Sequence, residues 1–264
     1  MLNLLYVILC GIALPVGGVQ MQYLWRNQLG DIYSLGLGSA ACLGAATATM
    51  TGWCSLTAGA FICQAVCAII VALVALRLDT PKLITFGILF GTLIGSLGTI
   101  VVTNAPTGDL LKQYYLWGAA NFKLQGVTPV DIAISLTLFA AGIASAVLCA
   151  KKLTLHHSGE IELSNLSKAG ILFMVSILVT SVVSICGTIG FVSLGIPNLA
   201  RIIVKPGDIR RQYALSAGMG TALLLITYLV VEYCTFGFYL PVSATMAIIA
   251  LPLMVVLFRR STSS

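Results

Sequence analysis

The sequence predicts an all-α protein, a polytopic bundle of transmembrane helices, and three observations carry that reading. Of 264 residues, 59% are hydrophobic and only 8% charged. A soluble domain uses about 25% charged residues to build its water-facing surface. Apolar runs of roughly 20 residues, enough to cross a bilayer as a helix, recur along the whole chain. Alternating apolar-out, polar-in strands of about 10 residues are absent, which argues against a β-barrel. A single membrane domain over 1–264, with no soluble domain attached, accounts for the composition.

The elements follow in order. The first apolar run, 2–25, opens at Met1 and Leu2 with no basic residue before it. A cleaved signal peptide would carry a positive n-region and a small-residue cleavage site, so residues 1–25 read as a retained helix. Further segments fall at about 33–50, 55–77, 83–103, 127–150, 168–186, 189–204, 212–234 and 241–258, for about nine spans in all. Pro15 and Pro252 lie inside two of them. Membrane helices tolerate proline where neighbours satisfy the freed backbone groups.

Two connections are more than turns. Gly108–Trp117 is predicted to form a short amphipathic helix at the membrane interface, where Trp and Tyr sit well. The stretch 151–168 is the most polar in the chain. Ser158 is expected to cap a short helix there, with Glu160 and Glu162 in a first turn favoured by the helix dipole. Fixed between two spans, it is a candidate docking element.

Charge sorting orients the bundle. All of the 14 basic residues except Lys112 and Lys123 fall on one alternating set of loops. That set holds Arg26, then Arg77 and Lys82, then Lys151, Lys152 and Lys168. Arg201, Lys205, Arg210, Arg211, Arg259 and Arg260 complete it. The positive-inside rule places it in the cytoplasm. The C-terminus is then cytoplasmic and Met1 outside, as nine crossings require.

Soluble-enzyme chemistry is not visible. The chain has no Gly-x-x-x-x-Gly-Lys-Ser/Thr phosphate loop and no His-Glu-x-x-His pair. His156 and His157 are adjacent, so they do not share a helix face as metal ligands would, and they read as part of a solvated loop. No metal site is expected. The eight cysteines lie mostly in apolar runs and read as small apolar residues. Cys54 and Cys234 fall near loops on one side, but spacing gives no support for a bridge. Gly87, Gly91, Gly95 and Gly98 line one face of the fourth segment. That face suits close helix packing, or a smooth wall beside a pathway. Glu232 lies near the outer end of its run. Two readings stand for it, an interfacial contact with a partner and an intramembrane proton relay.

Three stretches go beyond composition. One runs from Gly11 to Gln22, on through Arg26-Asn27-Gln28-Leu29-Gly30-Asp31, and from Leu35 to Ala41. Another runs from Gly187 to Arg201 through Phe191, Pro197 and Asn198. The last is Leu240-Pro241-Val242-Ser243, followed by Pro252 and Arg259-Arg260. Trp117-Gly118 and Ser158-Gly159-Glu160 fill the middle. In this order they resemble the FecCD-type permeases, the membrane subunits of ABC importers for iron–siderophore complexes, haem and vitamin B12.

The resemblance implies a type II ABC importer permease that works as a homodimer in the bacterial inner membrane, with the translocation pathway between two copies. It implies a cytoplasmic ABC ATPase dimer, which carries the ATP and Mg, and an extracytoplasmic substrate-binding protein. No cofactor is expected in this chain, no enzymatic activity of its own, and no nucleic-acid partner. Ser158, Gly159, Glu160, Ile161, Leu163 and Leu166 would touch the ATPase. Asn27, Leu29, Thr80 and Pro81 match the family's cytoplasmic gate, and Gly87, Gly91 and Gly95 would line the pathway. Lys112, Lys123 and Glu232 are candidates for contact with the binding protein.

The family has ten spans and an Arg-Leu-Pro-Arg motif ahead of the first stretch above; this sequence starts at about that point, so the resemblance leaves two readings, a relative without the family's first helix or a start assigned too late in the reading frame. Gln28 stands for the family's Pro, Asn198 for its His and Glu232 for its Arg. Rival readings are an ion-coupled secondary transporter or channel, and a shortened relative that does not transport.

Overall fold

The computed structural model describes residues 2–124, 126–204, 209–233 and 240–262, with 253–262 by backbone alone. Lys205 and Cys234 lie outside the described residues, as do the side chains of Arg259 and Arg260. The described residues form ten α-helices and one 3-10 turn, without a strand. Each predicted segment lands on a helix. These are α1 (Leu2–Leu24), α2 (Leu37–Thr51), α3 (Leu56–Ala75), α4 (Thr80–Thr103), α6 (Pro129–His157), α7 (Asn165–Cys186), α8 (Val192–Ile203), α9 (Ile209–Tyr233) and α10 (Val242–Thr262). The predicted interfacial helix is α5 (Gly108–Gly118), started by Thr107, whose hydroxyl accepts from the Leu110 N–H.

Among the described residues, six helices are long and apolar enough to cross a membrane: α1, α3, α4, α6, α7 and α9. The segment at 33–50 is divided, because Gly36 takes φ +83° between the 3-10 turn Ile32–Leu35 and α2. The segment at 189–204 shortens to the 12 residues of α8. Gly187 and Phe191, at φ +80° and +75°, hold the stretch before it out of a helix.

Helices α1 and α7 are apolar all round and form the buried centre. Lipid is as apolar as a leucine, so apolar surface alone does not hold such helices together; close packing of small residues does. A Cβ on Gly11 would fall on the backbone of Thr221, and one on Gly220 would come within 2.5 Å of the Gly11 carbonyl. Helices α1 and α9 therefore cross backbone to backbone. Buried polar pairs add little, on average about 0.6 kcal/mol each, but they fix register. The Ser184 hydroxyl donates to Gln64 Oε1 (2.6 Å) between α7 and α3. That of Ser135 donates to the Ser181 carbonyl (2.5 Å) between α6 and α7.

Candidate functional site

The basic loops gather at one end of the bundle, where α1, α3, α4, α6 and α7 have their ends. Helix α6 stays helical past Lys151 and Lys152 because its buried stripe continues through Ala146, Ala150, Leu153 and His156. Gly159 then takes φ +85°, a conformation that favours glycine. Its N–H donates to the His156 carbonyl (3.1 Å), and the Ile161 N–H donates to the Leu155 carbonyl (3.2 Å). Ser158 is thus the C-cap of α6. The helix predicted to start at Ser158 does not form, since a left-handed glycine stops one helix there. The new helix, α7, is capped by Ser164, whose hydroxyl accepts from the Ser167 N–H.

Of the loop residues singled out from sequence, Ser158, Gly159 and Glu160 are exposed. The Ser158 hydroxyl donates to Glu160 Oε1 (2.9 Å). Ile161 is exposed as well, and Leu166 stands 74% exposed. Leu163 is placed otherwise: at 8% exposure it packs into the core and anchors the loop.

Arg26 reaches into this loop from the end of α1. Its Nε donates to the His156 carbonyl (2.7 Å). Its Nη2 donates to the Ile161 carbonyl (3.3 Å) and to His156 Nδ1 (3.2 Å), and its Nη1 meets the Glu162 carboxylate at 2.7 Å. With Nδ1 accepting, the His156 proton is on Nε2, which donates to the Leu24 carbonyl (3.1 Å). The Arg26 hydrogen bond holds the Glu162 carboxyl below the usual carboxylate range. The solvated-loop reading of the histidines is corrected here. His156 is only 3% exposed, because α6 runs about two turns further than expected and carries it under the end of α1. The His157 ring packs on Tyr23, centroids 4.4 Å apart, and the Arg201 guanidinium lies 5.8 Å over the same tyrosine ring.

Asn27 and Leu29 form the corner after α1. Asn27 Oδ1 accepts from the Leu29 N–H (2.9 Å), and the Leu29 side chain is 75% exposed. Beyond the corner, Asn198 Nδ2 donates to the Gln28 carbonyl (3.1 Å), and the Ser193 hydroxyl donates to Asp31 Oδ1 (2.5 Å). The corner is therefore fastened to α8. Thr80 and Pro81 open α4 after Asp79. They line a cleft of about 350 Å³ whose other walls include Arg26, His156, Glu162 and Lys168. The structure thus brings the α3–α4 turn, the loop and Arg26, the residue just before the corner, into one cluster. Sequence reasoning passed over Asp31, His156 and Ser193 as members of it. Their partners lie more than 120 residues away in the chain, and no local spacing signals them.

The glycine face of α4 is partly packed, and Gly87, Gly91 and Gly95 also line an open cleft of about 360 Å³ with Tyr33, Ser34 and Ser39. A Cβ on Gly87 would stand 2.7 Å from the Ser34 carbonyl, and one on Gly91 3.0 Å from Gly36 Cα. Gly95 stands less tightly over Ser39. The free side of α4 carries Ile88, Leu89, Leu93 and Leu97.

At the opposite end, Lys112 and Lys123 are exposed, as is Glu232 near the end of α9. A cavity of about 400 Å³ there is lined by Lys123, Asn121, Trp117, Thr57 and Cys54 among others. Among the described residues no group of three or more His, Cys, Asp or Glu stands together as a metal site.

The model of the FecCD transport family matches residues 1–260. The chain is 28% identical over 235 residues to an uncharacterized ABC transporter permease protein, YvrB, of Bacillus subtilis. That match covers 83% of this chain and 65% of the relative, so the chain spans just under two thirds of that relative's length. It is 27% identical over 271 residues to the ferric enterobactin transport system permease protein FepG of Escherichia coli, covering 98% of this chain and 81% of that one. A solved metal-chelate type ABC transporter in an inward-facing conformation has the same fold, with a TM-score of 0.86 at 20% identity, over 98% of this chain and 85% of that one. With the family model matched from end to end over this helical architecture, the chain belongs to the FecCD transport family.

Proposed function

We propose that this chain is the membrane-spanning permease subunit of an ABC importer for a metal chelate of the iron–siderophore kind. Two copies form the translocation pathway, and a separate cytoplasmic ATPase dimer supplies the energy. An extracytoplasmic binding protein delivers the cargo.

The observation that carries this reading is the cluster at the basic end. Glu162 of the exposed loop Ser158–Glu162 shares a cleft with Thr80 and Pro81 and pairs with Arg26, the residue before the Asn27–Leu29 corner, on the side that the basic residues assign to the cytoplasm. A surface offered to a cytoplasmic motor and the elements it must move are thereby adjacent. The exposed side of α4, with Ile88, Leu89 and Leu93, suits a second copy across the pathway or the bilayer. Lys112, Lys123 and Glu232 at the other end are the contacts offered to a binding protein.

Co-expression with the cognate ATPase tests this. The two should co-purify, and Glu160→Arg should lower the amount of ATPase retained without changing the yield of the permease. An unchanged complex with Glu160→Arg contradicts the docking role of the loop. Uptake that follows a proton or sodium gradient and ignores ATP depletion contradicts the ABC reading as a whole.

A further inference from the structure

We propose that Arg26 is the positioning residue that carries movement of the α6–α7 loop to the corner after α1, a mechanical link between the surface offered to the ATPase and the gate. The proposal rests on the functional reading above and deepens it.

The contacts are unusual in their concentration. One guanidinium at the end of α1 binds the His156 and Ile161 carbonyls, the His156 ring and the Glu162 carboxylate, all within one short stretch of the loop. His156 returns a bond to the Leu24 carbonyl, so the junction is closed from both sides. Arg26 holds φ +49°, a left-handed conformation that a side chain with a Cβ keeps only where its surroundings over-determine it. On its far side the corner is tied to α8 through Gln28 with Asn198 and through Asp31 with Ser193. A displaced loop would therefore pull Arg26, the corner and α8 together. The Thr80–Pro81 turn stands across the cleft, which leaves room for that motion.

The ion pair itself is the lesser part. Glu162 is well exposed and Arg26 partly so, and exposed pairs are screened and contribute little. The carbonyl bonds need a planar fork with several donors. Lysine, with one ammonium on a flexible stem, cannot make them together. The link should therefore tolerate loss of Glu162 better than loss of the guanidinium.

The test uses the full complex of permease and cognate ATPase, with Leu29→Cys as a reporter at the exposed corner. The rate of reaction with a maleimide, over that of the parent chain, is measured with and without ATP plus vanadate. The expected result is a nucleotide-dependent change of roughly five- to tenfold, the low end of the range that coupling between sites spans. Arg26→Gly keeps the left-handed turn without strain and removes the guanidinium. It should abolish the change while the ATPase stays bound. Arg26→Lys should abolish it as well, and serves where the glycine variant does not fold. Glu162→Gln should retain most of it. A response that survives in Arg26→Gly, or in Arg26→Lys where that variant replaces it, overturns the link, as does a parent complex whose corner ignores nucleotide. A parent chain that holds no ATPase overturns the functional reading, and the link with it.

Discussion

Gly159 and Glu162 show how single residues set the posture of the α6–α7 loop, the surface proposed to meet the ATPase. Gly159 has no atom within 4 Å of an added Cβ, so a substitution there meets open space but a left-handed backbone. Gly159→Ala should therefore cost about 1–2 kcal/mol through conformation alone. Less ATPase should be retained in a pull-down, and Gly159→Asn, which tolerates that conformation, should recover part of it. Glu162 carries a pH consequence of definite sign. Its folded carboxyl is held below its free value by Arg26, so the attraction is fully present above the usual carboxylate range. It is lost only as pH falls through the lowered folded value. Transport should thus show no inflection from Glu162 above roughly pH 5, and Glu162→Gln should leave the pH profile there unchanged. An inflection near neutrality that disappears in that variant contradicts the assignment.

Helices meet here through what their surfaces lack. The α1–α9 crossing depends on Gly11 and Gly220, each placed where a Cβ would enter the other helix's backbone or Pro15. Gly11→Val should separate the two helices and turn a monodisperse peak in size-exclusion chromatography into aggregate. Gly218→Ala on the same α9, which meets nothing within 4 Å, should be neutral. Much at this scale was legible in the sequence. Apolar length is a local signal, and it located most helices within a few residues, whereas the one cap read from the sequence, Ser158, ends α6 instead of starting a helix. What stayed hidden was set by distant partners. Gly36 is one glycine among 26 until Gly91 packs on it. The extension of α6 to His157 follows from burial of His156 under α1, a contact across 132 residues of chain. The two stretches proposed as the gate could be read one by one, but their approach to Arg26 is a product of the fold.

At the scale of the molecule, the described structure gathers Arg26, Lys168, Glu162 and the α3–α4 turn around one cleft, and the sequence assigns that end to the cytoplasm. Orientation then makes a direct prediction. A cysteine at Glu160 should react with a membrane-impermeant maleimide only in inside-out vesicles, and one at Lys123 only in right-side-out vesicles or spheroplasts. The reverse pattern contradicts the positive-inside assignment. The central claim is that this helical bundle passes a metal chelate under the control of ATP. Its most direct measurement is uptake of radio-iron ferric enterobactin, with haemin and cobalamin in parallel, by proteoliposomes holding the permease, its ATPase and its binding protein. The account predicts accumulation of one of these chelates that requires ATP and stops with vanadate. Accumulation that persists without ATP and follows an imposed proton or sodium gradient would contradict it.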